Sequence, residues 1–153
     1  MTTIHSDAEF KAGLSRLPLH HQRRVGKLFV ESVIDLSDNP KVKQAISITD
    51  KPDLSAAEIA EGFKMVKAAA IDSYTLCGRD ADWLGQASHF VASAAAVCLT
   101  PEDQVAQCRD LAWSTAMNAR MAKVCETIAH GQEADNQEAE KQYAILETFL
   151  AAA

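Results

Sequence analysis

The sequence predicts an all-α fold: a compact bundle of about six to seven helices around a central uncharged helix at about 81–99. Three observations carry that expectation. Glycine (6) and proline (4) are scarce in 153 residues, whereas β-rich folds of this size use many turn residues. Helix-start signals recur along the chain. No run of alternating apolar and polar residues competes for a strand.

The elements follow in order. Ser6-Asp7-Ala8-Glu9 reads as a capping box opening a helix at about 6–16. Pro18 opens a second at about 18–37, where Val25, Leu28, Phe29, Ser32, Val33 and Leu36 form the apolar face. Arg24, Lys27, Glu31 and Asp35 form its solvated stripe. Asn39-Pro40 starts a short helix at about 40–48, and Thr49–Asp53 is the clearest linker. Ser55-Ala56-Ala57-Glu58 is a second capping box, opening a helix at about 55–77 that shows Ile59, Phe63, Val66, Ala70 and Tyr74 on one face. Gly78 is placed to end it. Thr100-Pro101-Glu102-Asp103 opens a long helix at about 101–130, closed at His130-Gly131. The last helix, at about 134–151, turns Tyr143, Leu146, Phe149 and Leu150 inward, while Gln132–Gln142 solvates its start. Ser6–Leu14 and Ser55–Phe63 resemble each other, but the likeness goes no further, so shared helix-start chemistry explains it better than duplication.

Length and composition fit one helical domain spanning 1–153, with 48% hydrophobic and 24% charged residues. The formal net charge of −6 disfavours nucleic acid and anionic membranes, whose affinity comes from neutralised phosphates. The start MTTIHSDAEFK lacks a basic stretch followed by an apolar core, so no secretory signal is read and a cytoplasmic location is expected. Cys77, Cys98, Cys108 and Cys125 form no CxxC pair and read as reduced thiols, three of them as small core residues. Cys77 is the least poor nucleophile, although a helix C-terminus raises a thiol pKa.

The informative segment is WLGQASHFVASAAAVCL at 83–99, which contains no charge. A helix without a charged face is normally buried on all sides. A membrane span is the rival, but Gln86, Ser88, His89 and Ser93 count against it. Asp82, Gln86, His89 and Ser93 fall at steps of four, three and four on one stripe. With Trp83 nearby, Asp82, Gln86 and His89 are the candidate ligand-binding residues. The bland reading is a core histidine satisfied by a neighbouring helix, or a stripe at a partly wet edge.

A second candidate is the basic start of the second helix, His20, His21, Arg23, Arg24 and Lys27. Positive charge is unfavourable in a first helical turn, and an anionic ligand or acidic protein would relieve it. Metal sites are not indicated: no Glu-x-x-His pair or zinc spacing occurs, and Glu126 with His130 is explained by the helix end. No catalytic signature is present and no cofactor is assigned. The expectation is a non-catalytic, adaptor-like protein acting by protein–protein binding, with a protein partner or a homodimer. The alternative is a bundle holding a small ligand, cofactor or metal near His89.

Overall fold

Seven α-helices account for most of the computed structural model, which describes residues 3–51, 53–77, 83–107, 110–131 and 137–152. They are α1 (Asp7–Ser15), α2 (Leu19–Ser32), α3 (Pro40–Ile46), α4 (Ala56–Cys77), α5 (Trp83–Cys98), α6 (Leu111–Ala129) and α7 (Glu138–Ala152). No strand occurs among the described residues.

The local start signals form as read. Ser6 Oγ accepts the Glu9 N–H at 3.2 Å, and Glu9 reaches back to the His5 N–H at 3.3 Å. Ser55 and Glu58 close the second box, with Ser55 Oγ accepting the Glu58 N–H at 3.1 Å and Glu58 accepting the Ser55 N–H at 3.3 Å. Asn39 Oδ1 accepts the Lys41 N–H at 3.0 Å, with Pro40 at the first helical position. Gly131 takes the left-handed conformation expected of it (φ +69°). Gly78 lies outside the described residues.

Three expectations need correction. The second helix stops at Ser32 rather than about 37 and tightens into a 3₁₀ turn at Ile34–Leu36. The Val33 N–H bonds to the Val30 carbonyl, three residues back, and this tightening turns both Ile34 and Leu36 against the core. The following loop is then pinned to α5: Ser88 Oγ donates to Asp38 Oδ1 at 2.8 Å and accepts the Asp38 N–H at 3.2 Å.

The helix expected at about 101–130 is two elements, a 3₁₀ segment at Glu102–Gln107 and α6 from Leu111. The chain must reverse to lay α6 along α5, and a continuous helix cannot do so. The start of α6 is capped from outside: Gln22 of α2 accepts the Ala112 N–H at 3.2 Å and donates to the Leu17 carbonyl at 2.9 Å. Finally, the start of α7 is not solvated throughout, since Glu138 and Gln142 are buried.

The packing centres on α5. It contacts α6 and α4 along their lengths, and also α2, α3 and the Ile34–Leu36 turn. Gly62 sits beside Leu99 and the Ala70 carbonyl beside His89, so α4 and α5 run antiparallel. Buried Ala92, Ala94 and Ala95 on α5 and Ala112, Ala116, Ala119 and Ala122 on α6 let these two backbones approach closely. The site of a Cβ on Gly26 lies 3.2 Å from Cys98 Sγ and 3.5 Å from Thr115 Cγ2, so α2 crosses α5 and α6 at a glycine.

Arg120 ties the periphery to this core. Its Nε donates to Gln142 Oε1 at 2.7 Å, and its two terminal nitrogens grip the Asp7 carboxylate at 3.1 and 2.8 Å. Tyr143 donates to the same carboxylate at 2.6 Å, and Gln142 donates to the Ala116 carbonyl at 2.9 Å. Hydrogen bonds from Arg120 and then Tyr143 hold the Asp7 carboxyl below its ordinary value. The guanidinium also lies 5.5 Å from the centre of the fully buried Phe10 ring, so α1, α6 and α7 meet at one cation.

Two predictions follow from this packing. Gly26→Val forces a branched side chain into the α2–α5–α6 crossing and should lower unfolding free energy by about 2 kcal/mol or more, read by urea denaturation. Burial pushes the Glu138 carboxyl above its ordinary 4.5, against the pull of Lys141 and the Ser32 hydroxyl. A carboxyl raised in the folded state costs stability as pH climbs from 4.5 through its raised value. Glu138→Gln should therefore raise the urea midpoint at pH 7 and leave it unchanged below pH 4.5.

Candidate functional site

The uncharged helix is not wrapped evenly. Ala87, Ser88, Val91, Ala92, Ala94, Ala95 and Cys98 are buried on one side. Gln86, His89, Ser93, Ala96 and Val97 fall on the opposite arc and are only half-buried. The expectation of burial on all sides is thus corrected: α5 is a core helix with an open edge. The reason is geometric, because α4 and α6 flank it and α2 and α3 cover a single face.

The polar stripe lies on that open edge. His89 Nδ1 is 2.8 Å from the Ala70 carbonyl of α4, and Ser93 Oγ is 3.5 Å from His89 Nε2. The Phe90 ring meets the imidazole edge-on at 5.6 Å. The clefts described below are lined by other residues. Trp83 is exposed at the first turn of α5, and Asp82 lies outside the described residues.

Large apolar side chains are exposed on all three helices of this layer. Leu84 is 50% exposed on α5, Ile71 57% on α4 and Met121 44% on α6, and Ile128 is exposed near the end of α6. The end of α5 and the start of α6 meet at Gly26, so packing along their lengths runs them antiparallel. That places the C-terminal half of α6 beside the N-terminal half of α5, and the antiparallel α4 brings Ile71 to the same half.

The basic start of α2 is split by the fold. Arg23 is buried and donates to the Cys98 carbonyl at 2.8 Å and to the Thr100 carbonyl at 2.5 Å. Burial pushes its guanidinium below its ordinary value, while the neighbouring Glu102 opposes that. His21 turns edge-on to Phe149 of α7 at 5.7 Å. Lys27 is paired with Glu31 at 3.0 Å and with Asp50. His20 and Arg24 stay exposed, and with Arg23 they line a cleft of about 340 Å³. Thr49, Lys51, Leu54, Ile59, Glu102 and Leu19 complete it. A broader groove of about 730 Å³, lined by Ala56, Ala57, Ala60, Pro101 and Asp103, shares Leu54, Ile59 and Glu102 with that cleft.

Compared with protein-family models, curated proteins and solved structures, the chain matches none.

Cys98 is fully buried, and burial pushes its thiol up to about 12, where no thiolate forms near neutral pH. Cys125 is buried as well, whereas Cys108 and the Cys77 side chain lie outside the description. His130 ends α6 in an exposed position, and the Glu126 carboxylate pairs with Lys123 at 2.6 Å rather than with that histidine. Among the described residues, no three His, Cys, Asp or Glu side chains converge on a metal site, and no helix is long and apolar enough to cross a membrane. Six lining residues were not among the candidates: Leu19 and Ile59 at helix starts, and Thr49, Lys51, Leu54 and Glu102 from the segments that link α3 to α4 and follow α5. The last four carry one signal, position between helices, where functional side chains concentrate.

Proposed function

We propose that this chain is a non-catalytic, adaptor-like protein that acts by protein–protein contact through the open edge of the α4–α5–α6 layer. The observation that carries the reading is the half-buried, charge-free stripe of α5, in a layer of three helices that each expose a large apolar side chain: Ile71 on α4, Leu84 on α5, Met121 and Ile128 on α6. Interface cores are depleted of charge and enriched in aromatic and Met side chains. Exposed apolar surface on neighbouring helices is a common mark of a binding role.

A second copy of the chain is the partner this surface favours. Each copy carries a formal charge of −6, so two copies repel over most of their surface. Between Gln86 and Val97 the stripe supplies no carboxylate and is a place where they meet without that penalty. The polar groups on the stripe need not be stripped bare, because His89 already bonds to Ala70 within the chain.

Sedimentation equilibrium on the full chain, from about 5 to 500 µM, tests the reading over the range of a weak to moderate homodimer. A reversible dimer is expected. Leu84→Glu and Met121→Glu should each weaken it about tenfold or more by burying an unpaired charge. A monomer across the whole range, or a dimer that both variants leave intact, contradicts it.

A further inference from the structure

We infer that the cleft beside the start of α2 is a binding site for a small amphiphilic anion, a carboxylate or phosphate monoester with a short apolar chain. Three observations converge there. The lining brings together the cations Arg23, Arg24 and Lys51 against one carboxylate, Glu102, on a chain that is acidic overall. Glu102 lies close enough to Arg23 to act on its charge, and Lys51 pairs with Glu58 at 2.5 Å. Arg24 is exposed and has no hydrogen-bond or ion-pair partner among the described residues. A guanidinium in that state offers a two-pronged donor to a carboxylate or phosphate.

The second observation is the helix end that opens on the cleft. The N-cap of α2 is Pro18, which makes no side-chain capping bond, and no acid occupies the first turn. Leu19 and His20 of that turn line the cleft. An anion there supplies the missing acceptor and the missing negative charge at once.

The third is the continuation of the cleft into the adjoining groove, whose wall of Leu54, Ala56, Ala57, Ile59, Ala60 and Pro101 is apolar and whose carboxylates are Glu102 and Asp103. Leu54 and Ile59 belong to both, and Ala57 and Ala60 floor the groove with small side chains. A headgroup on Arg24 would lead its chain along that wall. The cleft volume of about 340 Å³ is within the range of small-ligand sites. This site and the open edge of α5 share no residue, so each reading stands without the other.

The test is an amide-shift titration of the full ¹⁵N-labelled chain at low salt with octanoate and with hexyl phosphate, both below micelle-forming concentrations. Saturable shifts at the α2 start, residues 47–60 and residues 101–103 are expected. Arg24→Glu should weaken binding about tenfold or more. Ala57→Trp, which fills the groove, should weaken both amphiphiles while leaving the weaker binding of inorganic phosphate unchanged. Several results overturn the inference: absence of saturable shifts, inorganic phosphate binding as tightly as hexyl phosphate, or octyl glucoside producing the same shifts. So does tighter binding of an acidic peptide, or of anionic vesicles, than of the monomeric anions.

Discussion

One buried cation, Arg23, joins α2 to the end of the central helix. α5 is the helix on which four others pack, and it ends at Cys98 with carbonyls that no later turn of helix can satisfy. Arg23, reaching across from α2, donates to the Cys98 and Thr100 carbonyls from a buried position. The arrangement places a positive charge at the negative end of the helix dipole, in a setting where burial strengthens that attraction. It returns the favour through sulfur, since the Cys98 thiol donates to the Arg23 carbonyl at 3.3 Å. Next to it, Gly26 lets α2 approach α5 and α6. Gln22, one residue before Arg23, caps the start of α6. Three residues within five positions of α2, Gln22, Arg23 and Gly26, thus bear on where α5 ends, where the chain reverses and where α6 begins.

That constraint also shapes the two surfaces proposed for binding. Because α2 closes over one face of the α4–α5–α6 layer, the opposite arc of α5 is left open. The absence of charge along α5 then leaves a surface without carboxylates. At the other side of the same anchor, committing Arg23 inward leaves Arg24 as the outward cation, and the chain reversal after Thr100 supplies the wall of the cleft. The binding surfaces are by-products of how the central helix is held.

What the sequence revealed was whatever is decided locally. Both Ser/Glu capping boxes, the Asn39-Pro40 start and the Gly131 stop depend on residues within three or four positions of each other. The fold class followed from these together with helical periodicity. What it concealed was decided at long range. The partners of Arg23 lie 75 and 77 residues away, and that of Gln22 lies 90 away. A basic run in a first helical turn therefore read as one surface, whereas the fold buries Arg23, turns His21 onto Phe149 and pairs Lys27 with acids. Glu138 and Gln142 read as solvated for the same reason, because the groups that receive them, Ser32 and Arg120, belong to other helices. The lack of charge on α5 identified a core helix but held no information on how many of its sides are covered.

The unfolding free energy of Arg23→Met, set beside that of Arg24→Met, tests the central role of the buried cation most directly. Methionine keeps much of the volume and removes the donors, leaving two carbonyls at the end of α5 without their partner. The account predicts a loss of about 2–5 kcal/mol for Arg23→Met and less than about 0.5 kcal/mol for the exposed Arg24→Met. Arg23→Lys, which keeps the charge and one donor position, should fall between them. Equal stabilities for Arg23→Met and Arg24→Met would contradict the account.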